Sequence, residues 1–350
     1  MLQISAELLA MSSDAAVLLK NNRVAFATPA AKSLLGQDCE GKTMRKLFGQ
    51  ELAGIQAGSF IGEIQLSGTR HIIRKKTTDN ISAIFISGID QNESLLNDAF
   101  IFALRNCLMN IDVALNLLRL KLEEQPELSD SLSVICHDSF KLNRVMNNVS
   151  ILHNINRPDP LIRTEYIDVS RFLRELVDSV SLLCTGQEIK YKGPEELKMW
   201  VDASLLESMI LNLVSNCMIH AEGCRHISIN LSKTKSGCMI AVDDDGCGID
   251  IDDIQKSFSR YKHSFDVNQI NRGPGLGLSA ARSVAYMHRG TLLMESQPGR
   301  GTAVRVSLSS CPQHKDMAKQ KETFQPSMKT LLVGLSYCLP SKFYTEKYTD

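Results

Sequence analysis

The chain has 350 residues, 43% of them hydrophobic and 22% charged, a balance typical of a folded protein with two or three domains. Lysine plus arginine and aspartate plus glutamate both total 39, so no strong net charge would attract nucleic acid or an anionic membrane. Its ten cysteines are scattered without a C-x-x-C pair, and the first residues lack a signal-peptide layout. We therefore expect reduced thiols in a cytoplasmic protein.

The most apolar stretch, residues 95–118, is interrupted by polar residues at a helical period. No window approaches 18 uninterrupted apolar residues, so we expect an amphipathic helix here and no membrane span.

Residues 1–91 alternate short apolar runs with turn signals. The stretch 15-AAVLLKNNRVAFAT-28 predicts two strands joined at Asn21-Asn22. Further strands are predicted at 60–68, 71–77 and 81–90, and short helices at 29–36 and 41–49. The predicted antiparallel sheet with helices on one side resembles a PAS-type sensor domain, with 28-TPAAKSLLG-36 in the place of that family's Asn-Pro-Ala turn.

Residues 94–157 carry a leucine seam. Six apolar residues recur at spacings of four and three, as in the a/d positions of paired helices: Leu104, Leu108, Ile111, Leu115, Leu118 and Leu122. The stretch 123-EEQPELSD-130 predicts a turn, and a second seam follows at Leu132, Ile135, Leu142, Met146 and Val149. Because two such helices cannot bury both seams alone, we predict that two chains pair as a four-helix bundle. The alternative is packing against the flanking domains.

Residues 165–310 predict a helical start followed by mixed α/β structure. Helices are predicted at 168–183 and 203–221 and after the glycines at 273–280, and strands at 226–233, 238–246, 290–296 and 301–309. Residues 311–350 predict a poorly specified tail, with one apolar patch at 330–340 that could dock.

Two polar motifs in this region suggest a ligand site. Asn212 and Asn216 lie one helical turn apart and could hold a metal ion between protein and phosphate oxygens. In 242-VDDDGCGI-249, Asp244 can accept a hydrogen bond from an exocyclic amine, and Gly246 and Gly248 let the backbone turn tightly against a flat ring. Taken singly, a solvated asparagine face and an acidic turn explain these motifs equally well.

Two glycine-containing turns follow. In 273-GPGLGLSAARSVAYMH-288 a glycine-rich turn opens a helix, where free N–H groups and the helix dipole suit phosphate. Its G-x-G-x-G spacing, without a strand directly before it, argues against a dinucleotide-binding Rossmann motif. The stretch 298-PGRGTAVRV-306 is a turn leading into a strand.

In this order and spacing the four elements resemble the Bergerat-type ATPase domain of sensor histidine kinases, type II topoisomerases, heat-shock chaperones and mismatch-repair ATPases. The resemblance implies ATP and Mg²⁺ as cofactors, with Asn216 as the Mg²⁺ ligand and Asp244 reading adenine. It implies nucleotide contacts from a wider set: Asn212, Asn216, His220, Asp244, Gly246, Gly248, Ile249, Lys262, Gly273, Gly275, Leu276, Gly277, Leu278 and Thr302. Residues 259–272, after Phe258, would form a mobile lid in which Arg260, Lys262 or His263 reaches phosphate.

Two positions depart from these relatives. The topoisomerase-type members carry a catalytic glutamate where this chain has Asn212, and an amide cannot act as a general base. We therefore predict a site built to hold ATP for transfer and not for hydrolysis. Ile219 stands where kinases often carry a lysine, so that phosphate contact is either missing or supplied by His220.

The kinase resemblance also places the phosphoacceptor histidine at Phe102. The family pattern His-(Glu/Asp)-x-(Arg/Lys)-x-Pro-Leu aligns with 102-FALRNCL-108, which replaces the histidine, the acid and the proline. Phe102 projects roughly 160° from the leucine seam, and therefore outward, but its ring has no lone pair to attack phosphorus. His137, in 137-HDSFK-141, is the alternative acceptor.

The resemblance thus implies a multidomain α+β sensor histidine kinase: a PAS-like α/β domain, a two-helix antiparallel hairpin forming a dimeric four-helix bundle, and a Bergerat-type α/β sandwich. Three functions remain open. The first is phosphoryl transfer to His137 or to a partner chain's histidine, and onward to a response-regulator aspartate in a two-component phosphorelay. The second is an ATP-dependent pseudokinase scaffold. The third is a serine kinase of the anti-sigma-factor type, which the long hairpin disfavours. The expected partner is a second copy, or another kinase, bound through 94–157.

Overall fold

The computed structural model describes residues 15–48, 59–66, 69–78, 81–88, 98–122, 126–157, 160–184, 186–249, 275–310 and 326–344. Within these ranges, none of the helices has the length and apolar character that a bilayer crossing requires.

Strands and helices alternate irregularly along the described chain. The strands are β1 (Ala15–Lys20), β2 (Arg23–Ala27), β3 (Ser59–Leu66), β4 (Thr69–Thr78), β5 (Ile81–Gly88), β6 (Glu165–Asp168), β7 (Glu188–Lys192), β8 (Lys198–Val201), β9 (His226–Lys233), β10 (Gly237–Asp244), β11 (Leu292–Ser296) and β12 (Thr302–Ser309). The helices are α1 (Pro29–Leu35), α2 (Met44–Phe48), α3 (Asp98–Leu122), α4 (Pro126–Ile155), α5 (Val169–Leu183), α6 (Ala203–His220), α7 (Gly277–Met287) and α8 (Met328–Gly334). A short 3₁₀ helix spans Ser341–Tyr344.

The N-terminal region contains the strands and short helices that the sequence predicts. Asn21 and Asn22 both adopt positive φ, at 53° and 61°, as a two-residue turn between β1 and β2 requires. Thr28 precedes α1, and its hydroxyl accepts a hydrogen bond from the Ala31 amide at 3.3 Å. The five strands pair antiparallel in the order β2-β1-β5-β4-β3. The PAS-type likeness itself stays a prediction.

Helices α3 and α4 form the predicted hairpin. Pro126, in the predicted turn, is the first residue of α4, where its missing N–H leaves no hydrogen bond unmade. Ile101, Leu108 and Met146 form a small core between the two helices. Several apolar side chains of α3 and α4 remain exposed: Phe102, Met109, Ile111, Val113, Leu117, Leu118, Val134, Ile135 and Leu142. A single chain does not test the predicted pairing of two hairpins.

The C-terminal sandwich packs α5, α6 and α7 with strands β7 to β12 around one apolar core. Phe172, Leu173 and Leu206 on the helices, and Ile240 and Val306 on the strands, are at most 1% exposed. Strand β7 pairs parallel to β9, whereas β9, β10, β12 and β11 pair antiparallel. The sheet also continues into the N-terminal region, because β11 pairs with β3 at Leu293↔Gly62 and Met294↔Ile61. The sequence did not predict this edge pairing.

Residues 326–344 differ from the predicted poorly specified tail. They contain α8 and the 3₁₀ helix, and Leu331, Leu332, Leu335 and Tyr344 belong to the core of the sandwich. The apolar patch predicted to dock is therefore docked, and the docked part extends beyond it.

Candidate functional site

A cavity of about 410 Å³ opens between α6, the ends of β10 to β12 and the start of α7. Its size falls within the range of small-molecule sites. The lining combines an apolar wall with a few polar groups: Leu213, Asn216, Cys217, His220, Ala221, Asp244, Gly248, Ile249, Gly275, Gly277, Leu278, Met294, Thr302 and Val304.

Three consecutive aspartates at the end of β10 take three different roles. Asp243 accepts a hydrogen bond from the Asn230 amide at 2.7 Å on the neighbouring strand. Asp245 accepts from the backbone N–H groups of Arg225 and His226, at 2.8 and 2.9 Å, and these bonds hold its pKa well below the usual range. Asp244 alone of the three lines the cavity. The fold therefore places Asp244 at the cavity and turns Asp243 and Asp245 to other partners.

The Asp244 carboxylate is held in place by the backbone. Its Oδ1 accepts from the N–H groups of Gly246 at 3.0 Å and of Thr302 at 3.2 Å. Burial raises the pKa of Asp244, against the opposing effect of these two bonds. A fixed carboxylate facing an apolar cavity can accept a hydrogen bond from an amine of a flat ring.

The loop after Asp244 lies close to its neighbours. A Cβ on Gly246 would stand 2.5 Å from the Ala221 Cβ, and one on Gly248 would stand 2.1 Å from the carbonyl oxygen of Gln297. Gly248 also adopts φ +69°, in the left-handed region. The loop is further fixed by the Ile249 amide, which donates to the Ser296 hydroxyl at 2.8 Å. A side chain at either position would collide with these neighbours, so both positions require glycine; that the turn lies against a flat ring stays a prediction.

The glycine turn at the start of α7 forms the opposite end of the cavity. Gly275, at φ +71°, Gly277 and Leu278 line the space, with Leu276 between them at the helix start. Among the described residues no side chain caps this helix start, so within that part of the chain its first N–H groups have no side-chain partner. Uncapped N–H groups and the positive end of the helix dipole suit a phosphate group.

The two asparagines of α6 face different surroundings. Asn216 lines the cavity. Asn212 is 4% exposed and does not line it. Its side-chain amide donates to Asn148 Oδ1 at 2.8 Å, and its Oδ1 accepts from Arg144 at 3.2 Å, both on hairpin helix α4. The structure thus brings one of the predicted pair to the cavity and turns the other to the hairpin.

Most of the other predicted site residues meet at the cavity. His220, Gly248, Ile249, Gly275, Gly277, Leu278 and Thr302 line it with Asn216 and Asp244, while Gly246 and Leu276 lie beside lining residues. Lys262 and Gly273, with Phe258 and the predicted lid, lie outside the described residues.

Five lining residues were not predicted: Leu213, Cys217, Ala221, Met294 and Val304. The alternation of side chains along a strand could have indicated two of them. Val304 lies two residues after Thr302, and therefore on the same face of β12, and Met294 on β11 pairs with Val304. Helical spacing could have indicated Leu213, because it precedes Asn216 by three residues and lies on the same face of α6.

The two acceptor positions of the hairpin are far from equivalent. Phe102 is 67% exposed and so points outward, as its helical position predicts. His137 stacks on the ring of Tyr344 at 4.5 Å, and its Nε2 lies 2.6 Å from the carbonyl oxygen of Ser336. Burial lowers the pKa of His137. The described conformation therefore offers no free imidazole nitrogen at Nε2.

Comparison with known proteins identifies the sandwich. Residues 201–311 match the family of histidine kinase-, DNA gyrase B- and HSP90-like ATPases. The sensor-like histidine kinase SenX3 of Mycolicibacterium smegmatis is 27% identical over 53% of this chain and 49% of its own. The histidine protein kinase DivJ of Caulobacter vibrioides is 34% identical over 33% of this chain and 19% of its own.

Among solved structures, full-length ShkA in complex with AMPPNP gives a TM-score of 0.47 at 18% identity, over 60% of this chain and 46% of that one. The chain spans about half or less of the length of the curated relatives named above. Residues 201–311 therefore belong to the family of histidine kinase-, DNA gyrase B- and HSP90-like ATPases, and the curated relatives named above are histidine kinases.

Proposed function

We propose that the cavity binds Mg²⁺-ATP and that the chain signals as a nucleotide-dependent dimer without a phosphoacceptor at Phe102. The observation that carries the nucleotide assignment is the convergence of Asn216, Asp244 and the uncapped start of α7 on one cavity within an ATPase-family domain.

The residues present fit this ligand from end to end. Asp244 would accept from the exocyclic amine of adenine, and the apolar wall of Leu213, Ile249 and Met294 would cover the ring. The N–H groups at the start of α7 would receive the phosphates. Asn216 would supply one oxygen to Mg²⁺, an ion that commonly takes few protein ligands and completes its shell with phosphate and water. Bound ATP would supply a phosphoryl group ready for transfer.

The hairpin supports a relay that does not begin with self-phosphorylation. Phe102 has no lone pair, and the Nε2 of His137 lies within hydrogen-bond distance of Ser336. We propose that nucleotide binding changes hairpin packing in a homodimer formed through 94–157, or in a heterodimer with another kinase. A partner such as a response regulator would then read the changed packing.

A binding titration tests the nucleotide assignment. Mg²⁺-AMPPNP is titrated calorimetrically into the wild-type chain and the Asp244→Ala variant. We expect roughly 30-fold weaker binding by the variant, because a hydrogen bond to a charged group contributes about 1.5–3 kcal/mol. Asp243→Ala, which removes the neighbouring carboxylate from the strand side, is the matched control and should bind within about twofold of wild type. Equal binding by all three proteins would contradict the assignment.

A labelling experiment tests the missing acceptor. The chain is incubated with γ-labelled ATP and Mg²⁺, and the product is treated with acid and with base. We expect no protein-bound label. Label that is lost in acid and survives base would indicate phosphohistidine and would overturn the relay without transfer. His137→Ala would then show whether His137 is the acceptor.

A further inference from the structure

Residues 326–344, here called the clasp, lie outside the matched ATPase residues and yet touch both the hairpin and the sandwich. The core of the sandwich includes Leu331, Leu332, Leu335 and Tyr344, each at most 2% exposed. This burial is as complete as that of the domain's own helices. The clasp is therefore part of the described fold.

On the hairpin side the clasp binds one face of α4. Tyr344 stacks on the ring of His137 and meets the ring of Phe140 edge-on at 5.0 Å. The carbonyl oxygen of Ser336 contacts the His137 Nε2. The Tyr344 hydroxyl donates to the Leu332 carbonyl oxygen at 2.9 Å, which fixes the ring against α8.

On the sandwich side the clasp lies against α6. A Cβ on Gly334 would stand 2.6 Å from the Leu211 Cδ1, so α8 and α6 approach closely there. The Cys338 Sγ lies 3.1 Å from the Ser215 hydroxyl oxygen. Leu211 and Ser215 belong to the same helix as the cavity residue Asn216.

Arg144 of α4 is enclosed where these three elements meet. Its guanidinium donates to the Ser215 hydroxyl at 2.9 Å and to Asn212 Oδ1 at 3.2 Å, and the ring of Tyr337 lies over it at 5.4 Å. Among the described residues no carboxylate forms an ion pair with it, and burial lowers its pKa. A buried cation held by neutral partners depends on the geometry of those partners, so displacing the clasp would uncover it.

The Arg144 contact lies next to the cavity. A Cβ on Gly277, a lining residue, would stand 3.2 Å from Asn212 Oδ1 and 3.5 Å from Asn216 Oδ1. The orientation of Asn212, fixed by Arg144 and Asn148, therefore bears on the spacing between α6 and the start of α7. That spacing sets the phosphate end of the cavity.

We propose that Arg144 is a positioning residue for the nucleotide site and that the clasp holds it there, so that clasp docking and nucleotide binding strengthen each other. This coupling rests on the proposed binding of Mg²⁺-ATP. Through it, any partner that pulls the clasp from α4 lowers nucleotide affinity, and bound nucleotide resists that partner by the same factor.

The first test is a titration of Mg²⁺-AMPPNP into full-length variants. We expect Arg144→Met and Tyr344→Ala to weaken binding about tenfold, which corresponds to about 1.4 kcal/mol. Arg144→Lys and Tyr344→Phe, which keep the charge and the ring, should recover most of the affinity. Met328→Ala is the control, because Met328 lies on α8 but is 40% exposed. Wild-type affinity in Arg144→Met and Tyr344→Ala would overturn the proposal.

The second test uses the wild-type chain. It distinguishes a clasp that is coupled to nucleotide binding from one that only stabilises the fold. Hydrogen exchange is followed at the clasp amides of Leu331, Leu335 and Leu339, which donate within the clasp. Saturating Mg²⁺-AMPPNP should slow their exchange about tenfold more than that of the amides of α5, which report the general stabilisation of the sandwich by a bound ligand. Exchange slowed no more than that of α5, in a chain that binds AMPPNP, overturns the coupling alone. A chain that binds no AMPPNP defeats the proposed function and the coupling with it.

Discussion

The hairpin and the sandwich differ in how far they bury their apolar side chains. Helix α5 of the sandwich buries eight of its fifteen residues. Leu182 of the same helix is an exposed leucine. Helix α3 of the hairpin exposes Phe102, Met109, Val113 and Leu117 by more than half. Helical periodicity predicts both helices equally well, but it does not say what covers an apolar face.

The exposed residues of α3 form one stripe. Phe102, Met109 and Val113 are spaced by seven and four, which places them on one side of a helix. Ile101, Leu108 and Leu115 lie on the side that is buried. An apolar stripe of this kind, left uncovered by the residues that the structure describes, is typical of a protein interface. Ile111 and Leu118 of the predicted seam are exposed as well, so α3 offers apolar surface on both the seam and the stripe for the proposed pairing of two hairpins.

The largest expected effect breaks this pairing. Val113→Lys puts a charge on the stripe, once in each partner chain, and should raise the dimer dissociation constant roughly a thousandfold, or about 4 kcal/mol. Light scattering at micromolar concentration would show the mass fall to that of one chain. Ala114→Lys, next to it but off the stripe, should leave the dimer intact. A dimeric Val113→Lys would mean that another surface pairs the chains.

The next effect sharpens the contrast within the sandwich. Leu173→Ala removes a fully buried side chain of α5 and should lower the free energy of unfolding by about 3 kcal/mol. Leu182→Ala, on the same helix but 84% exposed, should change it by less than about 0.5 kcal/mol. Denaturant unfolding followed by fluorescence of Trp200, the single tryptophan, measures both. Similar losses for the two variants would contradict the described core.

The smallest effect concerns a carboxyl group buried in the sandwich. Glu207 is 7% exposed, burial raises its pKa to about 7, and its Oε1 has no hydrogen-bond partner among the described residues. Between about pH 4.5 and pH 7 the folded chain keeps a proton that the unfolded chain has lost, so stability falls as pH rises through this window.

Glu207→Gln should remove this pH dependence. We expect it to stabilise the sandwich by roughly 2 kcal/mol at pH 8 and by far less at pH 5, because the amide stays neutral at both. Unfolding at the two pH values measures the difference, and Glu222→Gln, at an exposed position, is the control. An equal gain at both pH values would show that ionisation of Glu207 is not the cause.

The parts of the fold predicted from sequence are those with local signals. The turn at Asn21-Asn22 and strands β9 to β12 follow from short-range pattern and turn chemistry. Strands β6, β7 and β8 were not predicted, because they are four or five residues long and each carries charged residues. Their strand state depends on partners elsewhere in the chain, such as β9 for β7.

In the candidate site, too, the residues with a local sequence signal were predicted and the contacts between distant segments were not. Asn216, Asp244 and the glycines at 275 and 277 were predicted because each belongs to a compact motif. The orientation of the Asn212 side chain toward α4 was not predicted, because its partners Arg144 and Asn148 are 68 and 64 residues away from it in the sequence. The clasp is more distant still, with 199 residues between Ser336 and His137. The local sequence of the clasp gives no indication that it packs against α4, and the sequence of α4 gives no indication of the clasp.

Strand β11 serves two regions at once. Leu293 is buried in the core of the N-terminal sheet, whereas Met294, pointing to the opposite face, lines the cavity described above. Cutting the chain down to residues 160–344, which keeps α5 and the clasp, would therefore strip β3 from β11 and leave unpaired backbone groups beside an uncovered leucine. Such a fragment should self-associate edge to edge, and its aggregation would reflect the cut and not a failure of the ATPase fold.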